Sequence, residues 1–77
     1  GPYDQLVNEE RMKLIHQLIN ELPEKQRVIM QLRDIEGESY KEISEVLQLT
    51  EEQVKVNLFR ARQKIKQRYT DIENYGL

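Results

Sequence analysis

The chain has 77 residues, 38% of them hydrophobic, and a net charge of −2 from 12 Lys and Arg against 14 Asp and Glu; this allows one small domain with a single modest core. With no cysteine and one histidine, His16, the sequence excludes disulfides and thiolate or histidine metal clusters, and His16 is predicted to be an ordinary surface or boundary residue. A catalytic or metal-binding carboxylate group is also excluded, because the spacing of Glu24, Asp34 and Glu36 does not bring all three together.

The ends of the chain and its location are predicted from short patterns. Gly1 and Pro2 resemble the remnant of a cleaved expression tag, which makes residues 3–77 an expected piece of a longer protein. The domain is expected at residues 3–69, followed by a flexible tail at residues 70–77. No apolar run is long enough to span a bilayer, no signal-peptide pattern is present, and a cysteine-free chain fits the reducing cytoplasm.

Apolar residues recur at helical spacing, whereas strand alternation and hairpin turns are missing, so the sequence predicts an all-α domain of four helices. The first helix is predicted at residues 5–21, with Asp4 as its N-cap and an apolar stripe in the core. Pro23 suits the first position of a second helix at residues 23–36, because proline lacks the N–H that this position leaves unbonded. Gly37 then stands where a left-handed residue is expected after a helix end.

A short third helix and a longer fourth helix follow, joined by a tight turn at residues 48–50. Ser39 is predicted to cap the third helix, with Glu42 completing a capping box. Thr50 and Gln53 form the same pattern at the start of the fourth helix. The inward face of the fourth helix consists of Val54, Leu58, Ala61 and Ile65.

The fourth helix concentrates the positive charge of an acidic chain. Residues 1–52 carry twelve acidic and six basic side chains, whereas residues 53–70 carry no acidic side chain at all. The six cations of this stretch are Lys55, Arg60, Arg62, Lys64, Lys66 and Arg68. Because a solvated helix face normally alternates acids with bases, a purely basic stretch predicts contact with nucleic acid.

A short helix joined by three residues to a longer one, basic outside and apolar inside, is typical of a DNA-binding helix-turn-helix. Leu47, Val54 and Leu58 are predicted to be buried where the two helices meet, and Ser44 is the small residue at their crossing. By helical position, the side chains that point toward base edges in a major groove are Lys55, Val56, Phe59 and Arg60.

Several motifs in register give the chain a family resemblance. They are Leu22-Pro23, Arg27, Glu36-Gly37, Ser39-Tyr40, Glu42-Ile43-Ser44, Leu47, Leu49, Val54-Lys55 and Arg60-Ala61-Arg62. In this order they resemble region 4 of bacterial sigma factors, especially the extracytoplasmic-function group, over about residues 22–66. In departures from that pattern, Gln48 replaces the usual turn glycine, Glu52 replaces a glycine, and Val56-Asn57 stands where Ser-Arg is common.

The resemblance implies a helix-turn-helix of the sigma region 4 type, without a wing, that binds rather than catalyses and needs no cofactor. It implies a monomer that docks on the flap of the RNA polymerase β subunit, reads the −35 element of double-stranded promoter DNA and can meet an anti-sigma factor. It also places Lys55, Phe59 and Arg60 on positions that meet the −35 element. The predicted phosphate contacts, from flanking side chains and from hydroxyls at helix N-termini, are Ser39, Thr50, Arg62, Gln63, Lys64 and Lys66.

Three alternatives remain open. The chain could be the DNA-binding output domain of a response regulator, whose helix-turn-helix also contains Glu-Ile and Val-Lys. It could be a sigma-like module that binds only polymerase or an anti-sigma factor, since its first half is acidic and Glu51 and Glu52 lie near the groove. Finally, Val56 and Phe59 could pack on a neighbouring element of the full protein instead of contacting DNA.

Overall fold

The computed structural model describes residues 1–76, and every regular element among them is a helix. The helices are α1 at Pro2–Asn20, α2 at Glu24–Met30, α3 at Tyr40–Leu47 and α4 at Glu51–Tyr75. A short π-helical segment, Gln31–Ile35, continues α2. The prediction of an all-α domain with four helices is confirmed, and α3 and α4 form the helix-turn-helix.

The first two helices begin at slightly different residues from those predicted. The prediction of Asp4 as the N-cap of α1 is wrong, because α1 already begins at Pro2, a residue suited to the first helical turn. The Asp4 carboxylate lies within that turn, 3.5 Å from the amino-terminal ammonium. Pro23 is the N-cap of α2 rather than its first residue, and its carbonyl oxygen accepts the Arg27 N–H at 2.9 Å.

The second helix widens before it ends. The Glu36 N–H donates to the Gln31 carbonyl oxygen at 2.9 Å, a bond across five residues that defines the π-helical turn. Gly37 follows with a φ of +75°, which confirms the predicted left-handed residue. The Glu38 N–H then donates to the Leu32 carbonyl oxygen at 2.9 Å, which closes the helix end and leads the chain into α3.

Local hydrogen bonds fix the starts of α3 and α4. Ser39 Oγ accepts the Glu42 N–H at 3.0 Å as predicted, but among the described residues the Ser39 N–H does not donate to the Glu42 carboxylate, so the predicted capping box is only half formed. The box at α4 is complete, because Thr50 Oγ1 accepts the Gln53 N–H at 3.0 Å and Gln53 Oε1 accepts the Thr50 N–H at 2.9 Å. The direction in which α4 leaves the turn is therefore set by residues close together in sequence.

The turn between α3 and α4 contains a side chain in a conformation that favours glycine. Gln48 has a φ of 55° and a ψ of 45°, which is the left-handed helical region. The Leu49 N–H donates to the Ser44 carbonyl oxygen at 3.0 Å and closes the end of α3. A residue with a Cβ tolerates this conformation only at a cost of roughly 1–2 kcal/mol.

The core lies where α4 crosses α1, α2 and α3. Its buried residues are Ile19, Leu22, Ile29, Met30, Ile43, Val54, Leu58 and Ala61. Val54 and Leu58 are buried as predicted, with 0% and 2% of their surface exposed, and they anchor α4. The prediction that Leu47 is buried is wrong: it is the last residue of α3, and it is half-buried at the edge of this core.

The fourth helix is longer than predicted. It continues to Tyr75, so residues 70–75 of the predicted flexible tail are helical. Tyr69 is half-buried and lines a groove with Val7 of α1, so the last part of α4 lies along the first part of α1. Leu77 lies outside the described residues.

Candidate nucleic-acid interface

The first half of α4 presents an exposed surface of mixed character. Lys55, Val56, Phe59 and Arg60 are all exposed, Val56 to 43% and Phe59 to 63%. Residues three and four apart on a helix are neighbours, so these side chains adjoin one another. The structure thus brings together the four residues predicted to read bases. We call this surface, formed by two cations and two apolar side chains, the α4 patch.

The N-termini of α3 and α4 each carry a hydroxyl predicted to contact phosphate. The oxygens of Ser39 and Thr50 accept helix N–H groups, which leaves each hydroxyl hydrogen available to donate to an anion. Helix N-termini also attract anions through their unbonded N–H groups. At α4 this attraction is opposed by two negative charges, because Glu51 and Glu52 lie in its first turn.

Two cationic side chains lie close to the aromatic ring of Tyr40. The guanidinium carbon of Arg33 lies 4.4 Å from the ring centroid, and the ammonium nitrogen of Lys55 lies 5.4 Å from it. Arg33 is itself fixed, because Nη1 donates to the Glu38 carbonyl oxygen at 2.9 Å. Lys55 also approaches the Glu52 carboxylate at 3.8 Å. Lys55 is therefore held on the side of α4 that faces α3.

Arg33 and Tyr40 are residues of this surface that sequence reasoning missed. Helical spacing predicts that Tyr40 lies on the inner face of α3. Arg33 lies in the π-helical segment, where the spacing of an α-helix no longer applies. The contacts of the Tyr40 ring with Arg33 and with Lys55 join three elements, and no spacing rule connects residues in separate elements. The one available signal is that Ser39-Tyr40 belongs to the motifs that carry the family resemblance.

Arg62, predicted to contact phosphate, is paired within the protein. Its Nε donates to Asp34 Oδ2 at 3.0 Å, and its Nη2 donates to Asp34 Oδ1, which makes a bidentate ion pair. The hydrogen bonding to Asp34 raises the pKa of the Arg62 guanidinium, against a smaller opposing effect of burial. Because the pair occupies two N–H donors, Arg62 is a poorer candidate for phosphate contact than its position on α4 predicts.

The remaining predicted phosphate contacts are exposed but do not lie together. Lys64 lines a groove with Pro23 at the junction of α1 and α2. Lys66 lines a different groove with Ile15, on the opposite flank of α4, since two residues turn a helix by about 200°. Gln63 is exposed four residues after Phe59, on the side of the α4 patch.

The segment that forms this helix-turn-helix also matches a known family. Residues 12–65 match the family model described as sigma-70, region 4. The chain belongs to the sigma-70 region 4 family. The match includes α2, α3 and the whole α4 patch, so it confirms the resemblance that the sequence motifs carry. It favours a sigma factor domain over the output domain of a response regulator.

Curated relatives of this region 4 domain include several RNA polymerase sigma factors. The RNA polymerase sigma-H factor of Pseudomonas aeruginosa is 38% identical over 65 residues, which cover 84% of this chain and 34% of that protein. The ECF RNA polymerase sigma-E factors of Haemophilus influenzae and Escherichia coli strain K12 are 31% and 32% identical, with the same coverage. The chain spans about a third of the length of these relatives.

Metal-binding clusters and membrane-spanning helices are both absent from residues 1–76 of the region 4 domain. In that range, no group of three His, Cys, Asp or Glu side chains could hold a metal ion. None of the helices there combines the length and the apolar character needed to cross a bilayer. The family itself is a DNA-binding family rather than a catalytic one.

Proposed function

We propose that this domain binds the −35 element of promoter DNA as part of a sigma factor that directs bacterial RNA polymerase to start transcription. The observation that carries the proposal is the α4 patch, exposed on the second helix of a helix-turn-helix in a region 4 chain. In a helix-turn-helix the second helix lies in the major groove, with residues near its N-terminus on base edges. The α4 patch occupies that part of α4.

Each residue of the α4 patch fits a feature of the major groove. Arg60 and Lys55 can donate to O6 and N7 of guanine, the commonest specific contact between protein and DNA. Val56 and Phe59 can pack against thymine methyl groups. We therefore expect a preferred site that contains both guanine and thymine. Packing of Val56 and Phe59 on another part of a longer protein is the competing explanation of their exposure.

Phosphate contacts are proposed around the α4 patch. The hydroxyls of Ser39 and Thr50 donate from helix N-termini, and Gln63, Lys64 and Lys66 donate from positions further along α4. Such contacts position a protein on the duplex but carry no sequence information. We expect weak binding by the isolated domain, because so few contacts neutralise few phosphates.

Protein partners are proposed for the acidic side of the domain. The exposed acidic side chains of α1, of its C-cap residue and of α2 repel phosphate, and they include Glu9, Glu10, Glu21 and Glu24. We propose that the flap of the polymerase β subunit binds this part of the surface. An anti-sigma factor is proposed to compete for the same surface. The proposed protein acts as a monomer in the bacterial cytoplasm.

Selection of bound sequences from a random duplex pool, with the 77-residue chain at low salt, tests the proposal. We expect enrichment of one short motif. An Arg60→Ala variant should select a motif that is degenerate at one base pair, whereas Glu9→Gln, on α1, should select the wild-type motif. Folded protein that enriches no motif would overturn base reading by the α4 patch.

A sigma-like module that binds only protein is the second candidate, because Glu51 and Glu52 place negative charge at the N-terminus of α4. An electrophoretic shift measured over a range of salt concentrations distinguishes the two functions. DNA binding that weakens with added salt supports the promoter-binding domain. No shift at the lowest salt concentration, together with binding to polymerase, would support the protein-binding module.

A further inference from the structure

One ion pair links α4 to the segment that precedes the helix-turn-helix. Arg62 on α4 and Asp34 on the π-helical segment are 28 residues apart in sequence. Two N–H groups of the guanidinium meet the two carboxylate oxygens. The other ion pairs of the described residues join groups three residues apart in sequence. Within residues 1–76, the Asp34–Arg62 pair is therefore the salt bridge that connects two separate elements.

The pair lies at the surface, where a DNA phosphate can compete for Arg62. The Arg62 side chain is 50% exposed and the Asp34 side chain 33% exposed. Arg62 stands seven residues after Lys55, which is about two helical turns, so the two cations share one flank of α4. Since Lys55 belongs to the α4 patch, this flank adjoins the surface proposed to meet DNA.

We propose that Asp34 lowers the affinity of the domain for DNA of every sequence by holding Arg62 away from the DNA backbone. A phosphate contact adds affinity for every sequence, whereas the base contacts of the α4 patch add affinity for one. Withholding one cation therefore lowers specific and non-specific affinity by the same factor and leaves base reading intact, so the salt dependence of binding changes while the ratio of the two affinities stays constant. This inference rests on the proposed DNA-binding function and concerns the charge beside the same surface.

The salt dependence of DNA binding tests the role of Asp34, because each neutralised phosphate adds about 0.9 to the slope of log affinity against log salt. Asp34→Asn should release Arg62 and steepen that slope by about 0.9, so that the affinity lost between 50 and 200 mM salt grows about 3.5-fold. Arg62→Gln should keep the wild-type slope. The double variant should return to that slope, since it lacks the released cation.

Glu36→Gln is the matched control, because it removes one negative charge two residues from Asp34 and leaves Arg62 paired. An equal change of slope in Glu36→Gln and Asp34→Asn would indicate a general effect of charge and overturn the inference. Weaker DNA binding by Asp34→Asn with an unchanged or shallower salt slope would also overturn the inference. That result would indicate that the ion pair only stabilises the position of α4.

The failure of this inference is distinguishable from failure of the proposed function. A folded wild-type chain that shows no salt-dependent DNA binding would remove the proposed function itself. Salt-dependent wild-type binding, together with an unchanged slope in Asp34→Asn, would overturn the role of Asp34 alone. Thermal unfolding of each variant, followed by circular dichroism, establishes that the compared proteins are folded.

Discussion

The ammonium nitrogen of Lys55 lies 5.4 Å from the centroid of the Tyr40 ring, so a base-reading candidate on α4 rests against the first helix of the motif. Arg33 approaches the same ring at 4.4 Å. The face of an aromatic ring attracts cations electrostatically. Because α3 holds the ring in place, Lys55 is presented with less side-chain freedom than a fully solvated lysine has.

Replacing Tyr40 with Leu should therefore reduce both stability and DNA discrimination, because an exposed cation–π contact contributes about 0.5–1 kcal/mol. Tyr40→Phe keeps the ring and should match the wild type in both properties. Thermal unfolding measures stability, and competition between the preferred and a scrambled duplex measures discrimination. Equal losses in the Leu and Phe variants would show that the aromatic ring is not what supports Lys55.

Leu58 and Phe59 are adjacent in sequence but opposite in burial, with 2% and 63% of their surface exposed. Leu58→Ala should cost roughly 2–5 kcal/mol, as for other buried leucines, which is enough to unfold a marginal small domain. Phe59→Ala should change stability by less than about 0.5 kcal/mol but weaken DNA binding. Thermal unfolding gives the first comparison, and a Leu58→Ala variant that melts within a degree or two of wild type would exclude Leu58 from the core.

The predictable parts of this fold are those set by residues close together in the chain. The box formed by Thr50 and Gln53 depends on a spacing of three, and it appears in the structure as expected. The burial of Val54 and Leu58 follows from helical periodicity in the same way. Local sequence patterns were therefore sufficient to predict the helix-turn-helix and to predict which side chains form the α4 patch.

Contacts between distant residues could not be predicted from such patterns. The Asp34–Arg62 pair depends on the angle between the end of the second helix and α4, which no local spacing encodes. The extension of α4 to Tyr75 is a second example. Tyr69 packs beside α1 in this part of the helix, and no local sequence signal in residues 70–75 predicts that packing. The sequence thus predicts which residues are exposed on α4 more reliably than it predicts their partners.

Gln48→Gly should raise the free energy of unfolding. The φ of 55° costs a residue with a Cβ roughly 1–2 kcal/mol, whereas the extra freedom of glycine in the unfolded chain costs about 0.5–1 kcal/mol. The expected net gain is about 1 kcal/mol or less, which is an increase in melting temperature of a few degrees. Gln48→Ala is the control, because it keeps the Cβ. A Gly variant no more stable than the Ala variant would show that the turn is unstrained.

Charge reversal on α1 should leave DNA binding no weaker. Glu9 is exposed, and its carboxylate accepts a hydrogen bond from the Gln5 side chain at 3.3 Å. It forms no ion pair with any of the described residues. Glu9→Lys therefore removes a negative charge without breaking a salt bridge, and it cannot weaken a phosphate contact electrostatically. An electrophoretic shift at fixed salt concentration measures the effect. A clear loss of binding by folded Glu9→Lys would mean that α1, not the opposite surface, meets DNA.

Arg60 and Lys64 lie about one turn apart on α4 and are both exposed, yet their loss should have different consequences. Arg60→Ala removes a candidate base contact and should weaken the preferred site by roughly 1–3 kcal/mol, with reduced discrimination at one base pair. Lys64→Ala removes a proposed phosphate contact, so it should weaken all sequences about equally and lower the salt slope by roughly one.

Competition titrations with preferred and scrambled duplexes, repeated at several salt concentrations, separate the roles of these two residues. The ratio of the two affinities should fall in Arg60→Ala and stay constant in Lys64→Ala, because only a base contact distinguishes one sequence from another. If Arg60→Ala lowers both affinities by the same factor, Arg60 contacts phosphate. In that case the base contacts are expected from Gln53, Lys55 and Val56, which are exposed on the first two turns of α4.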